Sequence, residues 1–461
     1  MNKASHGIAV EQAGLQARPS GSGWLGSLSL GLVLVVVYLV NGRDLGTHDT
    51  LSAALLPLYI LRGEGIYFDN EHLGEWDPNL PLPDYLAISH GRVVTLYPIA
   101  PALVAVPLVA PQVALRDLYR TGWDRDRQVS YAESLSMAKR SMAVVVALAG
   151  VVLHRLLLVL GVGRAALPAV LAACLGSDLW TVGSQAPWQH GPAALSLIAA
   201  IALLHPRPLG HLRLALAGAF VALLVACRLM DVVFAAAIVT WLAWTDRRGL
   251  LWFLPAPVLV GVALLAYNLW FFDSILGGQS KLEQYHVKLH GVSGIWSGNL
   301  VEGLLGTLVS PNRGLLVFSP WIAVALVTLL VPTVRQRLSA HSLICVLLAS
   351  LIPYIIILSE YSVWWGGHCF GPRYWTDVIP LFAILFAYGL EWMLARSRVL
   401  TAISALTVFF SIAVQIIGAF CYPSSWNLQP RNVDLHHERL WDWRDTELSR
   451  CLIETLKSGA R

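Results

Sequence analysis

One carboxylate lies where chemistry at a membrane surface needs a base. Asp49 follows the first apolar run of the chain and opens a mostly apolar segment, 50–61, that is compatible with a helix. A carboxylate held there beside His48 is placed to take a proton from a hydroxyl group, as a general base does. The structural alternative is that Asp49 caps the first turn of that helix. Asp44, in the looser stretch GRDLG, is the rival candidate and is expected to be more exposed.

Three arginines are the candidate ligands for a phosphate group. Arg92, Arg313 and Arg373 each lie close to an apolar segment, and we predict that all three lie at headgroup depth on the same side as Asp49. A guanidinium there binds phosphate through paired hydrogen bonds and stabilises a phosphate leaving group. The alternative is that these side chains only extend toward lipid headgroups.

The other candidates are polar and aromatic residues that would contact a sugar or an acceptor. Trp364 and Trp365 in WWGGHCFGPRYW either stack on a sugar face or form an interfacial aromatic belt. Asp178 and His190 are predicted at the outer ends of two helices, where capping or anchoring is the structural alternative. The remaining candidates are His48, Tyr97, Tyr285 and His368, with Lys281 and His286 as further polar residues of the loop that contains Tyr285.

Composition restricts the elements that can position these residues. Of 461 residues, 56% are hydrophobic and only 13% are charged, about half the charged fraction of a soluble protein. A soluble multidomain enzyme and a disordered chain are both excluded. The net charge of +4 gives no indication of nucleic-acid binding. Six cysteines without CxxC spacing predict neither a metal site nor a disulfide framework.

Eleven apolar runs are each about long enough to cross the membrane as a helix. The first lacks a small-x-small cleavage site and is predicted to be an uncleaved signal anchor. The runs are 24–40, 141–160, 165–180, 190–204, 212–226, 229–244, 250–272, 315–333, 341–358, 375–394 and 399–421.

A further run, 97–115, contains four prolines, which disfavour a regular helix. We predict a broken juxtamembrane or re-entrant segment on the outer face. If this run does not cross, five arginine pairs fall on the inside, as the positive-inside rule requires. These are Arg155/Arg164, Arg207/Arg213, Arg247/Arg248, Arg335/Arg337 and Arg396/Arg398.

This topology divides the chain into three parts with the N-terminus inside and the C-terminus outside. Residues 1–23 form a cytoplasmic tail, 24–421 form the membrane domain, and 422–461 form an external tail. Within the membrane domain, 41–136 is a long first external loop that includes Gly122. The external tail places apolar residues among charges at nearly helical spacing, which predicts an amphipathic helix on the outer leaflet. Those residues are Leu440, Trp441, Leu448, Leu452 and Leu456.

The order of these features resembles the GT-C superfamily of membrane glycosyltransferases. The resemblance covers residues 24–420 and is carried by an external Asp after a signal anchor, a Tyr-Pro element, SPNRGLL and WWGG followed by GPRY. Within the superfamily, the sequence is most similar to bacterial members related to protein O-mannosyltransferases and aminoarabinose transferases. Two departures are Thr50, where relatives often have an acid, and Leu96, where they often have a lysine.

The resemblance implies an all-α polytopic membrane protein, a GT-C-like bundle of about eleven transmembrane helices whose first external loop carries juxtamembrane helices. It also implies an inverting sugar transfer on the external, periplasmic face of the bacterial inner membrane. The donor would be a polyprenyl-phosphate-linked sugar, the acceptor a lipid, glycan or protein, and Asp49 the general base. No cofactor is certain, and a divalent cation stays possible.

Two other functions stay open. A polytopic lipid or solute transporter, or a flippase, has the same composition, but transporters usually carry ionisable residues deep in the membrane. Here the polar residues gather in external segments, except Arg228 and Asp231, which we interpret as a local pair at an external turn. A catalytically inactive GT-C-like scaffold is the third possibility.

Overall fold

The structure is a computed structural model that describes residues 22–69, 82–119, 129–205, 207–422 and 424–459. Within these ranges the chain is helical apart from loops and one short hairpin. The predicted cytoplasmic tail up to residue 21 and the stretch around Gly122 lie outside the described residues.

The N-terminal part supplies most of the predicted first external loop. It contains the helices α1 (Ser22–Leu39), α2 (His48–Leu61), α3 (Ala100–Tyr119) and α4 (Tyr131–Val159). Strands β1 (Leu86–Ser89) and β2 (Arg92–Thr95) pair antiparallel between α2 and α3, with Leu86 opposite Thr95.

The rest of the chain is a succession of helices. They are α5 (Gly163–Leu175), α6 (His190–Leu203), α7 (His211–Cys227), α8 (Val232–Thr245), α9 (Leu250–Phe253), α10 (Pro255–Phe272), α11 (Gln279–His290), α12 (Leu300–Val309), α13 (Leu315–Phe318), α14 (Trp321–Val327), α15 (Pro332–Ser339), α16 (Ser342–Ala349), α17 (Leu351–Glu360), α18 (Ile379–Arg396), α19 (Arg398–Cys421) and α20 (Glu447–Gly459). Shorter turns include a π-helix at Leu179–Gly183 and a 3-10 helix at Arg373–Val378.

The prediction of an all-α chain with helices long and apolar enough to cross a membrane is confirmed. In the described part, six helices are long and apolar enough to cross a membrane, or seven if the 90° bend at Val331 lies within one span. Apolar helical segments of 10–17 residues include Trp24–Leu39 within α1, the helices α5, α6 and α7, and Leu229–Thr245, which contains α8. Each of the eleven predicted runs is mostly helical. The structure does not show that all eleven cross the membrane.

The prediction of a broken segment at 97–115 is wrong, because α3 is one continuous helix. Two of its four prolines cost little. Pro98 precedes the helix and Pro101 lies in its first turn, where no intrahelical donor is needed. Pro107 and Pro111 are inside the helix, four residues apart, so their effects fall on one face. By length and composition, α3 is itself a candidate span.

Helix α4 organises the surroundings of Asp49. Its start is fixed by a capping box in which Ser130 and Glu133 each accept from the other's backbone N–H. The helix packs against α1, α2 and α6. Lys139 on α4 donates to the Asn41 side chain and to the Arg43 carbonyl. The chain between α1 and α2 is thereby held against α4, which sets where α2 begins.

Candidate functional site

Asp49 forms the centre of a small polar cluster. Its Oδ2 accepts from Arg373 Nη1 at 2.6 Å, and its Oδ1 accepts from the Tyr97 hydroxyl at 3.0 Å. Burial by itself would raise the pKa of Asp49, but Arg373, His286 and the Tyr97 hydroxyl hold that pKa below its ordinary value. The carboxylate is therefore ionised at neutral pH, and 24% of the side chain stays accessible.

Asp49 is not the N-cap of its helix. The N-cap of α2 is Thr47, whose backbone N–H donates to the Thr50 hydroxyl at 3.2 Å. Asp49 is the second helical residue, where the helix dipole favours a negative charge, and both of its oxygens bind side chains from distant parts of the chain. The capping alternative for Asp49 is thus not what the structure has.

Asp44 differs from the exposed group that its sequence context predicts. One of its oxygens accepts from the Gly46 N–H at 2.8 Å, and the other is buried without a partner among the described residues. Burial raises the pKa of Asp44 to about 6, although Gly46 and Lys139 act in the other direction. Asp44 therefore stays a rival base, held within its own loop.

Arg373 is buried, and most of its donors have no partner among the described residues. Its side chain is 8% exposed, and its Nε has no hydrogen-bond partner within the described part of the chain. The guanidinium lies 4.7 Å from the Trp188 ring centre and 5.1 Å from that of Tyr374. The guanidinium can therefore donate to an anionic ligand while it still contacts the carboxylate of Asp49.

A glycine-rich loop gives Arg373 its position. Gly366, Gly367 and Gly371 all have positive φ, a conformation that costs other residues free energy. A Cβ added to Gly366 would lie 3.0 Å from Arg373 Nε. The glycines of WWGGHCFGPRYW thus let the loop turn sharply and leave room for the guanidinium.

A second polar group lies beside the cluster and is more exposed. Asp84 binds His48 at 3.0 Å and accepts from the Tyr285 hydroxyl at 2.8 Å. The hydrogen bond to Asp84 raises the pKa of His48, and the same contact lowers the pKa of Asp84. Both predicted contacts, His48 and Tyr285, therefore lie together, and they meet through an acid that the sequence did not single out.

His286 on α11 completes the surroundings of Asp49. Burial lowers the pKa of His286 to about 4, against the attraction of Asp49, so the imidazole is neutral at neutral pH. Its Nδ1 is buried without a hydrogen-bond partner among the described residues. The imidazole thus offers an unused polar atom close to the carboxylate.

The three predicted phosphate ligands do not lie together. Among the described residues, Arg373 is the one of the three that contacts Asp49. Arg92, on β2, pairs with Asp69 at 2.5 Å, lies over the Tyr67 ring and is 55% exposed. Arg313 is 1% exposed. The three arginines therefore have different surroundings, although the same role was predicted for all three from the sequence.

Arg313 has no donor left for a ligand. Its Nε donates to the Trp365 carbonyl at 2.9 Å, and its Nη atoms donate to the Glu447 carboxylate and to further oxygens at 2.7–3.2 Å. Those further acceptors are the Asn312 and Gly367 carbonyls and Asn427 Oδ1. All five N–H groups of a guanidinium are thereby occupied, so Arg313 joins the C-terminal tail to the body of the protein.

Asp434, also in the tail, binds the aromatic segment. It accepts from Trp365 Nε1 at 3.1 Å and lies 3.2 Å from His290 and 2.9 Å from His368. Burial opposes ionisation, but the two histidines hold the pKa of Asp434 below its ordinary value. Trp364 contacts the Trp441 ring at 6.0 Å. The predicted sugar contacts Trp364, Trp365 and His368 thus support the tail, and both tryptophans are buried.

The predicted amphipathic helix of the tail is α20, but it does not include all of the predicted apolar residues. Leu440 and Trp441 belong to a separate 3-10 helix, His437–Trp441, and pack with Trp364 and Trp365. Leu448 and Leu452 lie on α20; the side chain of Leu456 lies outside the described residues.

The prediction that the cysteines form no disulfide is wrong. Cys421 at the end of α19 is bonded to Cys451 on α20. Thirty positions separate them, and nothing in their spacing marks a pair. The bond fastens α20 to the last long helix.

Asp178 and His190 belong to two buried networks behind Arg373. His190 Nδ1 lies 2.8 Å from Asp377 Oδ1, and Asp377 also accepts from Arg228. Asp178 accepts from Gln415 at 3.0 Å. Asp178 and His190 are both buried, which contradicts a shared external cavity.

The prediction that Arg228 and Asp231 form a local pair is also wrong. Arg228 binds Asp377, the Tyr354 hydroxyl at 2.9 Å and the Tyr374 carbonyl at 3.1 Å. Both carboxylate oxygens of Asp231 lack partners among the described residues.

No group of three or more His, Cys, Asp or Glu side chains in the described ranges is placed to hold a metal ion. No protein-family model matches this chain, and no curated protein or solved structure matches it either. The chemistry of the site therefore has to follow from the geometry of its own residues.

The Arg313–Glu447 contact predicts a large effect on stability. In Glu447→Leu, a buried guanidinium loses its carboxylate, which costs about 3–5 kcal/mol. The matched control is Glu438→Leu, since Glu438 is 60% exposed and pairs with Arg431 at the surface, where such pairs contribute little. Thermal unfolding of both variants in detergent measures the difference. Equal melting temperatures for the two variants would contradict this role for Arg313.

Proposed function

We propose that this protein is an integral membrane glycosyltransferase of the GT-C type. It transfers a sugar from a polyprenyl-phosphate donor to a lipid, glycan or protein acceptor, with inversion. The single observation that supports this best is the half-buried, ionised Asp49 in direct contact with Arg373, whose remaining donors are open. This transfer needs a base beside a cation that binds the phosphate, and Asp49 and Arg373 are joined by one hydrogen bond.

The chemistry assigns one task to each group. The acceptor oxygen attacks the anomeric carbon and forms the new glycosidic bond. The bond from that carbon to the phosphate oxygen breaks, and the polyprenyl phosphate leaves with the electron pair. Asp49 takes the proton of the acceptor hydroxyl, while Arg373 stabilises the charge on the leaving phosphate.

The ion pair also links donor binding to the strength of the base. Arg373 contributes to holding the pKa of Asp49 below its ordinary value. A donor phosphate that draws the guanidinium toward itself weakens that contact. The carboxylate then becomes more basic once the donor is in place. Tyr97 keeps its hydrogen bond to the other oxygen and fixes the orientation of the carboxylate.

The proposal includes the finer topology. Eleven spans that do not include α3, with the N-terminus in the cytoplasm and the C-terminus outside in a bacterial inner membrane, place Asp49 and Arg373 on the external face. The Cys421–Cys451 disulfide supports an oxidising compartment for that face. The positive-inside distribution of the arginine pairs supports the same orientation.

A transporter or flippase is the second candidate, because the structure has one feature typical of that class. Arg228, Asp377, His190 and Asp231 are ionisable residues buried among the helices. Charged groups within a helical membrane domain often mark a transport path. Measurement of sugar transfer against movement of the intact donor across the bilayer separates the two functions, and absence of both indicates an inactive scaffold.

The first functional prediction concerns Asp49. Asp49→Asn keeps size and one acceptor oxygen but removes the proton acceptor, so turnover should fall on the order of 10²–10⁴-fold. Donor affinity should persist, since Arg373 stays in place. Turnover and donor binding are measured with a polyprenyl-phosphate sugar in membranes.

The matched control for Asp49 is Asp44→Asn, because Asp44 lies five residues earlier and stays within its own loop. Normal turnover in Asp49→Asn together with an inactive Asp44→Asn protein would move the base to Asp44. Full activity in both variants would refute general-base catalysis by either acid.

The second functional prediction concerns Arg373. Arg373→Ala should weaken donor binding and slow turnover, and Arg373→Lys should restore only part of each, because lysine lacks the planar fork. Arg92→Ala is the control, since Arg92 pairs with Asp69 at the surface. Donor titrations of the three variants give both quantities. Full recovery with lysine would argue for a point charge rather than a bidentate contact.

The third prediction tests topology. Ser293→Cys and Gln336→Cys place single exposed thiols on segments predicted outside and inside, respectively. An impermeant maleimide added to intact cells should label Ser293→Cys at once and Gln336→Cys only after lysis. The reverse pattern would invert the orientation, and labelling of both from outside would require a different number of spans between them.

A further inference from the structure

A groove between α3 and α4 combines an apolar wall with one unpaired arginine. Its volume is about 690 Å³, and its lining includes Leu115, Val144, Gln112 and Arg140. Arg140 is exposed and has no hydrogen-bond or ion-pair partner within the part of the chain that the structure describes. The other arginine of the groove, Arg116, is paired with Glu133 at 3.2 Å. Within the described ranges, the groove therefore carries one positive charge without an acidic partner.

The position of Arg140 along α4 places that charge at a boundary. The residues that follow, 141–153, contain no ionisable side chain, and α4 is a candidate membrane span. A guanidinium immediately before such a run lies at the edge of the hydrocarbon, where lipid phosphates lie. At this depth an anion is the ligand that satisfies it best.

Gln112 supplies a second, independent observation. Its Nε2 donates to the Leu108 carbonyl at 2.9 Å and to the Met137 carbonyl at 3.2 Å. Carbonyls only accept, so these contacts fix the orientation of the amide. Its Oε1 is buried and accepts from no group in the described residues. Such an orphaned acceptor is costly, and a hydroxyl-bearing ligand would satisfy it.

The groove is separate from the candidate active site. Leu58, near the end of α2, packs with Val113 of α3 and Met137 of α4, and Met137 lines the groove. Asp49 lies nine residues earlier on α2, or about 14 Å along the helix. The groove thus lies toward the opposite end of α2 from the catalytic candidates.

We propose that the α3–α4 groove binds one anionic glycerophospholipid of the surrounding leaflet, of the phosphatidylglycerol class. The phosphate binds Arg140, a headgroup hydroxyl donates to Gln112 Oε1, and an acyl chain lies along Leu108 and Val144. The bound lipid holds α3 against α4. This inference does not depend on the transferase function.

The test compares the full-length wild type, Arg140→Ala and Arg398→Ala in nanodiscs of phosphatidylcholine with or without phosphatidylglycerol. Arg398 is exposed and without a partner in the described ranges, but lies on α19. Phosphatidylglycerol should raise the melting temperature of the wild type and of Arg398→Ala. Its affinity for Arg140→Ala should fall about tenfold or more. An unchanged lipid effect in Arg140→Ala would overturn the proposal.

A second comparison uses the hydroxyl and does not require Arg140→Ala to fold. The wild type should bind phosphatidylglycerol more tightly than phosphatidylmethanol, which has the same charge and no headgroup hydroxyl. Gln112→Leu should lose that preference, and a preference that survives would refute the assignment. Equal stabilisation of the protein by inorganic phosphate in detergent would overturn the lipid assignment. Stronger binding of polyprenyl phosphate than of phosphatidylglycerol would overturn it too, and would assign the groove to the sugar donor.

Discussion

The ion pair between Asp49 and Arg373 is the interaction on which the arrangement of the site depends. It joins residues 324 positions apart, one at the start of α2 and the other at the start of the turn that leads into α18. A partly buried pair is favourable only where its geometry is held in place. Tyr97 orients the carboxylate, Trp188 covers the guanidinium, and the glycines at 366 and 367 let the loop pass close to it.

Two further charge networks hold the residues around Arg373. Asp377, one turn after Arg373, is bound by Arg228 and His190 within the helices. On the other side, Glu447 of the tail binds Arg313 and accepts from the Gly371 backbone N–H. Arg373 is therefore supported from the helical core and from the C-terminal tail. A change in either network is expected to reach the site through the position of its guanidinium.

The number of guanidinium N–H groups that the protein itself uses differs among the arginines. Arg313 uses all of its N–H groups on the protein, so its charge serves stability. Arg373 uses one nitrogen on Asp49, and Arg140 uses none among the described residues, so both retain the capacity to bind an anion. The same side chain at a similar predicted depth can thus be used up in contacts within the protein, as Arg313 is, or keep donors for the anions that we propose for Arg373 and Arg140.

The buried charged residues around Asp377 bear on the choice between a transferase and a transporter. Asp377 has two cationic or potentially cationic partners, and the nearby Asp231 has none that the structure describes. Such groups occur in transport paths, but Asp377 lies on the same 3-10 helix as Arg373, so a positioning role also accounts for its burial. The group transfer that we propose rests instead on Arg373, whose Nε has no partner among the described residues and which lies beside an ionised carboxylate.

The sequence alone determined the class of the fold and identified Asp49 as a candidate site residue. Composition and the length of the apolar runs dictate helices in a membrane, because backbone groups in hydrocarbon must bond within their own segment. Asp49, Tyr97 and Arg373 were identified from their positions at the ends of apolar segments, and the structure brings these three together.

Tertiary structure decided which of the other candidates share the site. Trp364, Trp365 and His368 look like sugar contacts until the tail is folded over them, and Arg313 looks like a phosphate ligand until Glu447 reaches it. The Cys421–Cys451 bond and Asp84 carry no local signal either, since pairing depends on where separate helices meet. Local sequence fixes helices through short-range bonds and apolar length, whereas burial and donor occupancy depend on contacts between residues more than a hundred positions apart.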